Sequence, residues 1–260
     1  MKSSLAILYI ATGKYIIFWK DFFESSEKYL LNAEGFEKHY FIFTDALQIE
    51  HENNPRVHKI YQEPLPWPYI TLDRFTIFQK ARKELEKMDF IYFFNANMLI
   101  VKPIGKEILP NRDKPIVMVQ HPGFFNKKRK EYTYETNPRS RAYVPDNIGK
   151  YYFMGGLNGG LAKDYLEMVD ELRKRVEEDK KNGIIAVWHD ESHLNRYAVD
   201  YPDKIKILDP SYGYPEGWNL PFDPKIIIRD KNKYGGHNYL RGITTSRTSK
   251  LKEVILRLFK

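Results

Sequence analysis

Three short, nearly uninterrupted apolar runs limit most strongly how this chain can fold. Ser4-Leu5-Ala6-Ile7-Leu8-Tyr9-Ile10 ends in Ala11-Thr12-Gly13, Tyr40-Phe41-Ile42-Phe43 ends in Thr44-Asp45, and Phe90-Ile91-Tyr92-Phe93-Phe94 ends in Asn95-Ala96-Asn97. Strands that read as continuous apolar runs, without alternation, are buried on both faces, as in a parallel sheet covered by helices. A weaker strand falls near Val57-His58-Lys59-Ile60. A helix is expected from about Tyr15 to Leu31, and another between Thr71 and Met88, where Leu72, Phe75, Phe78, Ala81, Leu85 and Met88 recur at three and four. Strands alternating with helices predict an open α/β sheet, and in such sheets ligands sit beyond the carboxyl ends of the strands.

The second half reads less regularly. From Pro103 to Pro145 Pro, Gly and the basic run Lys127-Lys128-Arg129-Lys130 suggest a long loop. A helix from about Asp164 to Lys181, with Asp164 as N-cap and Gly183 as stop, is followed by a short one from Asp190, which the N-cap rules would make its cap, and by a turn-rich stretch from Pro202 to Pro224. Leu251, Val254, Ile255, Leu258 and Phe259 opposite Lys250, Lys252, Arg257 and Lys260 predict a basic amphipathic helix over 246–260, suited to docking on the domain or to peripheral contact with an anionic membrane.

A chain of 260 residues suits one α/β domain, placed at 1–245. Forty-two Lys and Arg against 34 Asp and Glu give a net charge of +8, which favours anionic partners; no nucleic-acid motif accompanies it, so nucleic acid is not expected. Cysteine is absent, and a cytoplasmic location, with or without peripheral membrane contact, is expected. No run approaches the roughly 18 apolar residues of a membrane span.

Several clusters could carry chemistry. Asn95-Ala96-Asn97 after a buried strand would project two amides at the ligand edge of the sheet, or be a turn; two neutral amides are poor sole ligands for a divalent cation. Trp188-His189-Asp190-Glu191-Ser192-His193 packs two acids and two imidazoles into one helix start, which suits a cleft or simple helix capping. Gly155-Gly156-Leu157-Asn158-Gly159-Gly160 permits close approach of a ligand, or turns. Lys231, Lys233 and Arg241 lie among Asn and Gly residues, suited to closing over phosphates.

Taken together with Lys14-Tyr15, His121-Pro122-Gly123-Phe124, Tyr132-Thr133-Tyr134-Glu135 and Tyr151-Tyr152-Phe153-Met154-Gly155-Gly156, these stretches resemble glycosyltransferase family 6, the retaining α-1,3-galactosyl and N-acetylgalactosaminyl transferases that include the histo-blood-group A and B enzymes. The resemblance covers Leu5 to Lys231. It implies a GT-A fold, a Rossmann-like open mixed sheet flanked by helices, and a UDP-sugar donor. It places Ile10, Ala11 and Thr12 at the uracil, Tyr15 stacking on it, and Arg74, Asn95, Ala96 and Asn97 along the donor. Met154, Gly155, Gly156 and Asp190 would surround the sugar, with Lys231 and Arg241 on the diphosphate.

Glu191 would face the anomeric carbon, and His121, Thr133, Trp188 and His189 would meet the acceptor, a terminal galactose with or without a neighbouring fucose. Animal members carry Asp-x-Asp and Mn²⁺; with Asn95 and Asn97 the chain resembles the bacterial branch, for which no divalent metal or other cofactor is expected. Glycine at 156 favours UDP-GalNAc over UDP-galactose. A sugar-binding lectin and a basic nucleic-acid-binding protein are the non-enzymatic alternatives.

Overall fold

A computed structural model of the chain describes residues 2–32 and 35–243. The helix expected over 246–260 lies outside the described residues.

Seven strands form the main sheet: β1 (Ser3–Ile10), β2 (Phe36–Thr44), β3 (Val57–Tyr61), β4 (Phe90–Asn95), β6 (Ile116–Gln120), β7 (Phe153–Leu161) and β8 (Ile205–Leu208), in the order β3-β2-β1-β4-β7-β6-β8. A small sheet holds β5 (Met98–Ile100), β9 (Tyr214–Pro215) and β10 (Ile226–Ile228). The helices are α1 (Trp19–Tyr29), α2 (Tyr69–Leu72), α3 (Arg74–Phe78), α4 (Arg82–Leu85), α5 (Ala162–Lys181), α6 (Asp190–Asp200) and α7 (Gly236–Leu240). This is the single-domain α/β architecture with a mixed sheet, of GT-A type, that the sequence predicts.

The strand periodicity explains the two layers. Leu5, Ile7 and Tyr9 point to one face and pack with Trp19, Phe22 and Phe23 of α1; Ala6 and Leu8 point to the other and pack with Phe75, Phe78 and, from α5, Tyr165, Met168 and Leu172. Because β1, β2 and β4 are parallel and in register, Ile10 pairs with both Phe43 and Asn95 at one edge. Strand β7 runs antiparallel to β4 and reaches past its end, since Phe94 pairs with Leu157. Residues 153–156 therefore stand beside Asn95 at the same edge.

Five expectations need correction. The segment expected to be one helix over Thr71–Met88 is three short helices with a 3-10 turn over Gln79–Ala81. Leu72, Phe75, Phe78 and Ala81 recur at a strict spacing of three and are all buried, and the chain winds more tightly over Gln79–Ala81. The expected loop over Pro103–Pro145 contains β6, and the glycine run is a strand: a Cβ on Gly159 would lie 2.4 Å from Cδ1 of Tyr92, so the ring of β4 occupies the space a side chain would need. Helix α5 starts at Ala162, capped by Leu161, with Asp164 in its first turn. Helix α6 is capped by His189, and Asp190 is its first residue.

Candidate active site

Two adjacent cavities open at the carboxyl edge of the sheet. The first, of about 230 Å³, is lined by nine of the expected donor residues: Ile10, Thr12, Tyr15, Arg74, Asn95, Ala96, Asn97, Lys231 and Arg241. The second, of about 350 Å³, is bounded by Gly155, Gly156, Trp188, His189, Asp190 and Glu191 and shares Trp67, Thr71, Arg74 and Asn95 with the first. A ligand pocket commonly spans roughly 300 to 1,000 Å³, so the two lobes together have the size of a small-molecule site.

At the first lobe, Ala11 is fully buried; its N–H donates to Phe43 C=O at 2.9 Å and its C=O accepts from Thr44 Oγ1 at 2.7 Å. Backbone contacts to a ligand at this strand end thus fall to Ile10 and Thr12. The rim is cationic. Lys231 Nζ lies 5.5 Å from the Tyr15 ring centre, and the Arg241 guanidinium 4.3 Å from that of Trp67. Burial, and next the charge of Arg241, hold the Lys231 ammonium down at about 8. Burial, with Lys231 and Arg241 nearby, also lowers His237, a further wall residue. Neither Lys231 nor Arg241 has an acidic partner among the described residues, whereas Lys233 is held by Glu216 at 2.7 Å. Cations desolvated together without a counter-ion form a site that an anion would stabilise.

The Asn-Ala-Asn turn links β4 to β5. Asn97, 3% exposed, donates from Nδ2 to Arg229 C=O at 2.8 Å, while its own C=O accepts from Arg229 N–H at 2.8 Å. That reciprocal pair ties the turn to the segment that carries Lys231. Asn95 and Asn97 bring no charge to this edge, and the Asn97 amide is engaged by Arg229.

The second lobe is built on the turn Trp188–Glu191. Glu191 N–H donates to Trp188 C=O at 3.0 Å, Trp188 N–H to Ser192 Oγ at 2.9 Å, and His189 sits at φ 55°, ψ −123°, the first central position of a type II′ turn, usually a glycine. Strain of this kind costs on the order of 1–3 kcal/mol and clusters at functional sites. The His189 ring packs 4.8 Å from Trp67, and its buried Nε2 has no partner among the described residues. Arg74, 4% exposed, lies over Phe93 at 4.2 Å, donates to Gly155 C=O at 2.6 Å and pairs with Asp190 at 2.8 Å, leaving its Nε without a partner among the described residues. Glu191 Oε2 accepts from Gly155 N–H at 2.7 Å and Oε1 from Tyr152 OH at 3.0 Å. Burial pushes the Glu191 carboxyl up to about 7; Asp190 adds to this, and the Gly155 and Tyr152 bonds oppose it.

Three expected residues stand behind the walls. Met154 is buried beneath Gly156, its Cε 2.7 Å from where a Cβ on that glycine would lie. His121 packs against Tyr152 and Phe124 at 5.7 and 4.9 Å and, neutral because burial holds it at about 4, accepts from Gly123 N–H at Nδ1. Thr133 offers its C=O to Tyr152 OH at 3.5 Å. Trp188 and His189 line the second lobe directly. Trp67, Thr71, Tyr152, Asn195 and His237 were not singled out by sequence reasoning. The half-exposed Trp67 within Pro64-Leu65-Pro66-Trp67-Pro68 was the available signal, an aromatic in a loop too proline-rich to be core.

The sequence profile of glycosyltransferase family 6 matches residues 1–241. The O-antigen biosynthesis glycosyltransferase WbnI of Escherichia coli is 34% identical over 227 residues, covering 87% of this chain and 94% of that protein. The histo-blood group ABO system transferase 1 of Rattus norvegicus is 30% identical over 237 residues (83% and 63%), and the globoside alpha-1,3-N-acetylgalactosaminyltransferase 1 of Homo sapiens 29% identical over 231 residues (86% and 65%). The chain thus spans less than two thirds of the length of these two mammalian relatives.

Proposed function

Since this chain belongs to glycosyltransferase family 6, we propose that it transfers N-acetylgalactosamine from UDP-GalNAc to a galactoside acceptor, with retention, forming an α-1,3 link without a metal ion. The single observation that carries this reading is that a cationic rim with no acidic partner among the described residues, Lys231 and Arg241, stands across shared walls from a buried carboxylate, Glu191. Uracil would stack on Tyr15 against Ile10 and Thr12, and the diphosphate would lie under Lys231, Arg241 and His237. Cationic side chains there offset the charge that a metal offsets elsewhere.

The sugar would occupy the second lobe, where Arg74 Nε and His189 Nε2 lack partners among the described residues and Asp190 is at hand. Gly156, which carries no side chain, lines this lobe and would give an acetamido group backbone to lie against. As the bond from the anomeric carbon to UDP breaks, its electron pair leaves with the diphosphate, and the positive charge left on the sugar is met by Glu191, through a covalent bond or electrostatically. The acceptor oxygen, positioned at Trp188, bonds on the face UDP leaves, and its proton passes to the departing phosphate oxygen.

The relatives named for O-antigen biosynthesis, the ABO system and globoside N-acetylgalactosaminyl transfer support a glycan acceptor. The test is a panel of UDP-GalNAc and UDP-galactose against galactosides with and without a 2-linked fucose, in EDTA. Transfer from UDP-GalNAc is expected; preference for UDP-galactose, or strict dependence on added Mn²⁺, would overturn the corresponding part.

A further inference from the structure

Helix α6 and the start of β7 are joined at the reacting end by one side chain. Asn195, 1% exposed, accepts from Phe153 N–H through Oδ1 at 2.8 Å and donates through Nδ2 to Phe153 C=O at 2.8 Å and to Glu191 C=O at 2.9 Å. The first two bonds are those a neighbouring strand residue makes with its partner across a ladder. They fall where the β6–β7 ladder is irregular, its register shifting between Met118 and Gln120, the residue paired with Phe153. The third reaches back one helical turn, to the backbone of the residue whose carboxylate bonds Tyr152 and Gly155, which flank the Phe153–Met154 pair. Asn195 thus fixes the height of residue 191 against the strand that meets its side chain.

We propose that Asn195 is a positioning residue for transfer: it substitutes for a strand at Phe153 and holds the Glu191 carboxylate in register with Tyr152 and Gly155. The proposal rests on Glu191 being the group that meets the anomeric carbon. An amide suits the task because one planar group offers both a donor and an acceptor at peptide spacing. Aspartate keeps the shape and the acceptor but turns a second acceptor toward two carbonyls; serine keeps one hydroxyl and reaches only one of the three partners.

The test compares Asn195→Asp and Asn195→Ser with wild type and with Glu191→Gln, measuring kcat, UDP affinity, the pH profile and thermal melting. A displacement of the order of 1 Å at a reacting group costs on the order of 10²-fold in rate, so kcat should fall about that far in Asn195→Asp and less in Asn195→Ser, with UDP Kd changed by no more than about threefold. The acid limb of kcat should also move below that of wild type, since a displaced carboxylate is less desolvated. Wild-type kcat and an unmoved acid limb, with only the melting temperature lowered, would overturn the proposal, as would loss of folding in both variants. Wild-type turnover in Glu191→Gln would instead defeat the role given to Glu191.

Discussion

The Arg74 guanidinium and the Asp190 carboxylate lie 2.8 Å apart, both almost wholly buried, on segments that meet only in the folded cleft. Removing one partner of a buried pair strands the other charge, at about 3–5 kcal/mol. Arg74→Ala should therefore lower stability by roughly that amount, and Arg74→Ala/Asp190→Asn should recover much of it, while both lose transfer. Urea unfolding of the two variants checks this; equal stability in the single and double variants would show that the charges are not coupled.

Lys231, held at about 8 by burial and by Arg241, should regain a proton when a diphosphate supplies the missing counter-ion. Binding of UDP near pH 8.5 should then take up protons, visible as a calorimetric enthalpy that changes with the ionisation enthalpy of the buffer. Lys231→Ala should weaken UDP binding by about tenfold or more and flatten its salt dependence.

Burial places the Glu191 carboxyl at about 7, above its ordinary 4.5, so the fold favours the protonated form while the proposed chemistry needs the carboxylate. Activity should rise with pH through an acid limb near 7 in the free enzyme. Stability runs the other way: the cost of ionising Glu191 is absent below 4.5, grows between 4.5 and 7 and is complete above 7. Glu191→Gln should accordingly be about 1–3 kcal/mol more stable than wild type at pH 8 and gain nothing at pH 4, a comparison thermal melts can make.

The Asn97 amide donates to Arg229 C=O at 2.8 Å. Asn97→Asp would set a carboxylate against that carbonyl, at about 1–3 kcal/mol, and slacken the link to Lys231. Lower stability and weaker UDP binding, unrelieved by Mn²⁺, are expected; a gain of activity with Mn²⁺ would contradict this account of the turn.

Much of this was legible in the sequence because β1, β2 and β4 are buried on both faces and therefore read as solid apolar runs. Strand β7 was not: its glycines look like turns, and the atoms that fill their side-chain space, such as the Tyr92 ring on Gly159 and the Pro115 C=O on Gly160, come from distant parts of the chain. The short β6 was hidden among prolines and charges. Lys233 looked as fit for phosphate as Lys231 until Glu216, distant in sequence, was seen to hold it. Tyr152 and Asn195 gain meaning only through Glu191 and Phe153, contacts that no local pattern encodes.

The most direct measurement is transfer from UDP-GalNAc to a galactoside in EDTA by wild type and Glu191→Gln, with the linkage read by NMR and UDP affinity measured alongside. An α-linked product from wild type is expected, with turnover lower by about 10³-fold or more in Glu191→Gln and UDP affinity nearly unchanged. A β-linked product, or equal turnover in the two proteins, would contradict the account.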